Sequence, residues 1–571
     1  MVLILTPDIP STTKITNKIS VVSAKSTSGS PPYQTGMLPY LPPSFNVQTV
    51  TLFNQQRSYY FRTQINFRTL KSILRELRFA LHSHSTSTPS VAPTNECATE
   101  YFIQSTDRLA ANIDVGIGLD RCCESVCDVN ELKLVNVVRE LSAMASEGSK
   151  LDVIIFGATG FTGKIAVYEI VKLAKEKNIT WGISGRNRNK LENVLKEVEE
   201  KTDADLAAIT VVVADVEDES SLQEMASKAR VVVNCVGPYR FYGEPVVRAC
   251  IASGAHHLDV TAEPQFMERM QLDYHKAAEE KGVYAVCSCG FDSVPADLGT
   301  VFLMNKFQGD LNSVESYLEF GPLAPFKGAQ GHFGTWESVV YVLAHYNELQ
   351  SIRQKLFADH LPQFSPKLKL RYLFKNEHVG GWCIPFPNSD RSVALRSQRY
   401  FFEHEKLRPA QIQSYIVFKS IFFVLIVSIF ALVLLLLSKF QFGRKLLLKY
   451  PHVFSGGLMS REGPSEDQMK KSYMNMTLLG EGWKEKLAEP TDQHDSPPNK
   501  HIVVKVSGKD AGYGMTCTIL LLAAVTILRE SDKMPGRGGV YTPGVAFAKT
   551  SLLEELDKHG TKFEVLSLKE N

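Results

Sequence analysis

Neither sign of charge prevails in this chain: 63 lysines and arginines stand against 61 aspartates and glutamates. A basic surplus is the electrostatic footprint of a nucleic-acid binder, and without one that class has no support. Cysteine is sparse, ten in 571 residues, and its spacing is irregular. Such usage suits a reducing compartment better than a disulfide framework. Its one cluster, Cys122, Cys123 and Cys127, has no second cysteine or histidine pair at zinc-finger spacing nearby, so no metal is expected. No compact apolar core followed by a small-residue cleavage site marks a secretory signal near the start.

The stretch from Leu151 to Arg186 is where the chain declares itself. A short apolar run, Val153 to Phe156, leads into Gly157, Gly160 and Gly163, followed by Ile165, Ala166, Tyr168, Glu169 and Leu173 at helical spacing. Strand, glycine turn and helix are the expected order, with a second strand at Thr180 to Ser184. One glycine permits the bend, one lets backbone N–H groups approach a pyrophosphate, and one allows helix to pack on strand. The anion would then rest on the positive end of the helix, against Gly157, Thr159, Gly160, Phe161, Thr162 and Gly163. An NAD site usually carries an acid about 20 residues past the glycines, whereas a 2′-phosphate site carries a basic residue. Here the second strand ends Ser184-Gly185-Arg186-Asn187-Arg188, so NADP is the expected cofactor and NAD the alternative. Arg186 is the candidate for the 2′-phosphate or adenine face.

At this length two or three domains are expected. Residues 1 to 148 are rich in Pro, Ser and Thr, with one short helical stretch around Leu70 to Leu81, and read as a disordered, low-complexity extension. Up to Leu74 they hold a single acid, Asp8, an acid-poor bias shared with transit peptides. Residues 149 to 300 have the α/β rhythm of a Rossmann-type, doubly wound parallel sheet. Within them, Ala208 to Ala214 is a strand ending in Asp215, and Ser220 to Lys228 is a short helix capped by Ser220. The next strand ends Asn234-Cys235-Val236-Gly237-Pro238-Tyr239, across from the glycine turn. Asn234, Val236 and Gly237 should therefore line the nicotinamide, and Asp215 should accept from the adenine amino group or serve its own turn.

GATGFTG, SGR, NCVGPYRFYGEPVV, ACIASGAHHLDVTAEPQF, GFDSVPADLG, GTWESVVY and GGVYTPGVAF occur in that order, and together they resemble the saccharopine dehydrogenase-like oxidoreductases. The resemblance runs from about Leu151 to the C-terminus. It implies an α+β C-terminal domain over residues 301 to 571 and an NAD(P)-dependent oxidoreductase. Relatives of that family include bacterial trans-acting enoyl reductases of glycolipid synthesis, so a lipid-linked substrate is also implied. The family name suggests an amino-acid dehydrogenase instead. That activity would want paired basic groups for substrate carboxylates, such as Arg240, Arg248 and Lys327.

Hydride transfer to a carbonyl or enoyl group also needs a proton donor. Tyr239, Tyr242 and His257 are the candidates, and no Tyr-x-x-x-Lys pair of the short-chain dehydrogenase kind appears in this region. The loop Cys287 to Asp297 joins a strand to a helix, with Asp292 or Ser293 as its N-cap. A catalytically idle nucleotide-binding protein is the rival reading, since no familiar acid–base pair stands out.

One apolar segment, 416 to 437, is long enough to matter for membranes: Ile421 to Leu437 holds no charge, and Lys439, Arg444, Lys445 and Lys449 follow. A true span would divide the resembling region across a bilayer. The segment is therefore expected to lie in one leaflet or a lipid-droplet monolayer, with a homodimer interface as the alternative cover. The expected location is an intracellular membrane, a lipid droplet or a mitochondrion. A second uncharged run, Ala511 to Leu528, reads as a buried core helix.

Overall fold

The computed structural model describes residues 150 to 322 and 328 to 570, together with the backbone of four strands nearer the N-terminus. Those strands, Val2–Asp8, Thr16–Val22, Gln48–Asn54 and Tyr59–Ile65, form one sheet in the order second, first, third, fourth. The expected helix at Leu70 to Leu81, and the expected disorder of the rest of residues 1 to 148, lie outside the described residues. Residues 149 to 571 form a separate compact unit.

Strand β1 (Leu151–Phe156) buries four consecutive apolar residues, the pattern of a strand covered on both faces. It pairs in parallel with β2 (Trp181–Gly185) on one side and β4 (Ala229–Asn234) on the other. Beyond β2 lies β3 (Thr210–Val213), and beyond β4 come β5 (His256–Asp259) and β6 (Tyr284–Val286). The expected doubly wound sheet is thus present in the order 3-2-1-4-5-6. Its seventh strand comes from Gly539–Tyr541, far outside residues 149 to 300. The core helix Gly514–Glu530 also packs against this sheet, in one apolar core with β1 and the helix that follows the glycine turn. The Rossmann half is therefore completed by the C-terminal part of the chain.

The helices follow from local pattern. Helix α1 (Phe161–Lys177) buries Ala166, Val167, Ile170, Leu173 and Ala174, one stripe at helical spacing, and ends on Asn178 in the left-handed region. Helix α2 (Arg188–Thr202) is capped by the Asn187 side chain, which accepts from Lys190 N–H. Helix α3 (Glu219–Ser227) starts earlier than expected, because the Asp218 carboxylate accepts from Ser220 N–H and Ser221 N–H and displaces Ser220 from the cap position. Helices α4 (Tyr239–Ser253) and α5 (Pro264–Lys281) follow β4 and β5, and α6 (Val294–Phe307) follows β6.

The second layer is a mixed seven-stranded sheet. Its strand order is Phe374–Asn376, Gly381–Pro385, Gln411–Phe418, Asp310–Pro322, Ser472–Trp483, Lys500–Lys509 and Lys562–Glu570. Neighbours are antiparallel except the pair Gln411–Phe418 and Asp310–Pro322. Met474, Met476 and Leu478 alternate inward with Ile502, Val504 and Val506, and helix α6 lies on them. Four further helices matter for function: α7 (Phe333–Ala344), α8 (Glu348–Leu356), α9 (Ser389–Glu405) and α10 (Ile421–Lys439).

Helix α10 is the expected apolar segment, and it is almost naked. Phe422 is 74% exposed, Ile429 63%, Leu432 56% and Leu436 55%. Only a thin stripe, including Val424, Leu434 and Leu437, touches protein. The other apolar helix, Gly514–Glu530, is buried as expected. The contrast follows from neighbours, since one helix is enclosed by two sheets, whereas the other rests on α7, the helix Gln441–Lys449 that follows it and the edges of two strands.

Candidate functional site: the cleft at the glycine turn

At the end of β1 the chain bends sharply. Gly157 has φ +84°, and its N–H donates to the Ser184 carbonyl at 2.9 Å, tying the turn to β2. A Cβ on Gly157 would stand 2.6 Å from Val236 Cγ2, so the turn after β4 presses directly on it. A Cβ on Gly163 would stand 2.1 Å from the Gly157 carbonyl oxygen. Thr159 and Gly160 are exposed at the lip, before the first free N–H groups of α1. Backbone donors, a helix N-terminus and room made by missing side chains fit a pyrophosphate.

Arg186 follows β2 in full solvent and makes no hydrogen bond or ion pair among the described residues. Its neighbour Arg188 is engaged with Val211 O and Glu192. Asp215 is half-buried, and one carboxylate oxygen accepts from Glu217 N–H at 3.2 Å, an Asx turn that uses half of its acceptor capacity. Asn234 is fully buried and its Oδ1 accepts from Val236 N–H, which shapes the turn with Gly237, while its Nδ2 has no partner.

Two of the three expected proton donors are occupied by structure. The Tyr239 hydroxyl donates to the Asn234 carbonyl at 2.9 Å and accepts from Val260 N–H, clamping the ends of β4 and β5 together. Burial and the Asp259 charge push this phenol well above its usual range. His257 is sealed with 0% exposure, neither ring nitrogen is hydrogen-bonded although Nδ1 stands 3.8 Å from Asp259 Oδ2, and burial lowers it to about 3. It is neutral at physiological pH and shut off from solvent. Only Tyr242, 37% exposed in the first turn of α4, remains at the mouth.

His257, Asp259 and Cys287 do converge, with ligand atoms within 4.8 Å of one another. They sit there because His257 and Asp259 share one face of β5, and Cys287 immediately follows the neighbouring strand β6. Asp259 Oδ1 accepts from Thr261 and Ser288 N–H groups, while burial pushes the carboxyl up to about 6 and the Cys287 thiol higher still. The buried Arg396 guanidinium acts on the same thiol, and that charge opposes a cation.

Glu263 links the two layers over the strand ends. Its Oε1 accepts from Tyr239 N–H at 2.9 Å and from the Ser338 hydroxyl of α7 at 2.8 Å, and its Oε2 accepts from Arg240 N–H at 2.9 Å. Below α7, His332 stacks on Phe161 at 4.8 Å, and Tyr513 meets Phe161 edge-on at 4.7 Å. Helix α7 is thus a roof from the glycine turn to the ends of β4 and β5. A cavity of about 780 Å³ is lined by Glu169 of α1 with Asp510 and Met515.

Residues 153–286 match the family model described as "Saccharopine dehydrogenase NADP binding domain". A Homo sapiens protein named "Saccharopine dehydrogenase-like oxidoreductase" is 39% identical over 436 residues, 75% of this chain and 100% of the relative. This chain belongs to the saccharopine dehydrogenase-like oxidoreductases. Other members are a Caenorhabditis elegans "Lipid droplet localized protein", 37% identical over 73% of this chain and 99% of its own, and an Arabidopsis thaliana "Probable mitochondrial saccharopine dehydrogenase-like oxidoreductase", 33% identical over 73% and 96%.

Within this saccharopine dehydrogenase-like chain, Arg240 and Arg248, two of the basic groups that an amino-acid substrate would want, are each held by a different carboxylate. Arg240 is spent on Glu348 at 3.0 and 3.1 Å, Arg248 pairs with Glu219 on the surface, and Lys327 lies outside the described residues. Asp292 is the acid that its cap-like position concealed. It does not cap α6: Ser293 holds the N-cap position as expected, although its hydroxyl bonds Ser288 and Ser389 and not the helix backbone. The Asp292 carboxyl makes no hydrogen bond among the described residues, and its charge raises both the Tyr513 phenol and the Asp390 carboxyl. It is half-buried, and desolvation raises it to about 6.

Proposed function

We propose that this oxidoreductase uses NADP(H) on a hydrophobic or lipid-linked substrate while attached to a membrane or lipid-droplet surface. The observation that carries the reading is helix α10, an uncharged segment left exposed on nearly all sides and docked on the roof of the cofactor cleft. In water that surface is costly. Each large side chain is worth roughly 1.5–3 kcal/mol when fully buried, and insertion of half-exposed Phe, Leu and Ile side chains along five turns would sum to about 10 kcal/mol. Phe440 and Phe442, 65% and 76% exposed, continue the patch, and Lys439, Arg444, Lys445 and Lys449 sit where a headgroup layer would be. The name of the worm relative agrees with a droplet surface, and that of the plant relative offers the mitochondrion as the alternative.

The glycine turn would hold the pyrophosphate, with Arg186 on the 2′-phosphate and Asn234, Val236 and Gly237 beside the nicotinamide. The cofactor supplies hydride, and this chain must supply the proton. Tyr242 and Asp292 are the groups left to do so. With its carboxyl near 6, Asp292 keeps about a tenth of its population protonated at pH 7, enough for a general acid. The idle-protein reading draws on the loss of Tyr239 and His257 as donors, and the raised Asp292 carboxyl weighs against it. Lipid-extract fractions added to protein and NADPH, with absorbance at the nicotinamide band followed, test the reading. Oxidation of NADPH dependent on an apolar fraction is expected, and oxidation only with aqueous amino acids would reverse it.

A further inference from the structure

Helix α7 separates the naked helix α10 from the strand ends where the nicotinamide belongs, and three lines of side chains run along it. Trp336 and Val340 pack on Leu434 and Leu437 of α10, and the Leu343 carbonyl accepts from Lys439 Nζ at 2.9 Å. Ser338 and Tyr341 face the other way, toward Glu263 and Phe241. At about 100° per residue, Thr335, Val339 and Val342 form a third line between these two faces. That line is open: Thr335 is exposed, Val339 is 38% exposed and Val342 is only half-buried. On its far side stand Phe241 and Tyr242, 47% and 37% exposed in the first turn of α4. These aromatic rings immediately follow the nicotinamide-side loop Asn234 to Tyr239, a place where a water-facing enzyme would gain nothing from exposed apolar surface.

We infer that this seam is the access route by which the acyl chain of a membrane-resident lipid passes from the leaflet holding α10 to the nicotinamide side of the cleft, along Val339 to Phe241 and Tyr242. The inference rests on the reading that α10 inserts into lipid. A soft, apolar seam lets a chain slide without leaving hydrocarbon, whereas Lys439 and the Arg240–Glu348 pair flank it with charge. The roof helix then has a second role, since the substrate that parts α7 from α4 also presses on Ser338 and Glu263.

The test is photolabelling of the full chain on phosphatidylcholine vesicles doped with a phosphatidylcholine bearing a diazirine on one acyl chain, with adducts mapped by mass spectrometry. Adducts are expected on α10 and also on Phe241 and Tyr242. Val339→Asp should lower the labelling of Phe241 and Tyr242 at least fivefold and leave α10 labelling and NADPH binding unchanged. Labelling of α10 with none at Phe241 or Tyr242 would overturn the route and leave membrane attachment standing. Absence of labelling on α10 would overturn the attachment, and the route with it.

Discussion

Gly163 sits so close under Gly157 that a Cβ on it would stand 2.1 Å from the Gly157 carbonyl oxygen. The obstruction is backbone, which no rotamer change can relieve. Gly163→Ala should therefore either push α1 away from β1 or lift the turn off its bond to Ser184. NADPH affinity is expected to fall at least tenfold, with a loss of about 1–3 kcal/mol in stability, read by titration calorimetry and chemical denaturation.

Arg186 stands alone at the end of β2 with no carboxylate beside it. A charge-assisted contact to a 2′-phosphate is worth about 1.5–3 kcal/mol, or roughly ten- to a hundredfold in affinity. Arg186→Ala should weaken NADPH by that factor and leave NADH unchanged. Equal affinities for NADPH and NADH in the wild type would remove the preference altogether.

Desolvation raises the Asp292 carboxyl from its ordinary 3.8 to about 6 in the folded chain. The folded state therefore holds this proton more tightly than the unfolded state does. Its contribution to stability is greatest below pH 4, declines as pH rises toward about 6, and is flat above. Asp292→Asn should remove that slope and stabilise the protein at pH 7 by about 1–3 kcal/mol, while any NADPH oxidation that needs the acid is lost. Asp259 and Asp297 are also raised to about 6 and act with the same sign, so the difference between wild type and variant isolates Asp292.

Tyr239 and His257 should behave as structural residues. Tyr239→Phe removes the buried bond to the Asn234 carbonyl, leaving that acceptor unpaired, and is expected to cost about 1–3 kcal/mol in stability. The pH dependence of NADPH oxidation should not move in either Tyr239→Phe or His257→Asn. A shift in the profile would restore a donor role to one of them.

The glycine turn, the parallel sheet and the basic residue after β2 were legible because each depends on residues adjacent in sequence. The same holds for α10, whose lack of charge over 17 residues needs no partner to be recognised. What escaped depends on distant pairs. The three-residue strand Gly539–Tyr541 is too short to show a period and exists because it lies beside β6. The Tyr239 hydroxyl looked free until β5 was placed beside β4, which delivered Val260 to it. Asp292 looked like a helix cap, and only the fold around it, which desolvates a carboxyl with no hydrogen bond among the described residues, turned a cap into an isolated acid. For Asp218 the signal was present, since Asp before Glu-Ser-Ser is a strong N-cap, and Ser220 was a second choice on the same rule.

Flotation of the full chain with phosphatidylcholine vesicles in high salt, followed by NADPH titration of the floated protein, reaches the central claim most directly. The wild type should float and bind NADPH, because apolar insertion resists salt. Leu432→Lys with Leu436→Lys, both on the exposed side of α10 and away from Trp336, should stay at the bottom and still bind NADPH. Protease should reach both ends of the chain from outside the vesicle. A wild type that stays at the bottom, or ends protected on opposite sides of the bilayer, would contradict an oxidoreductase seated on one leaflet.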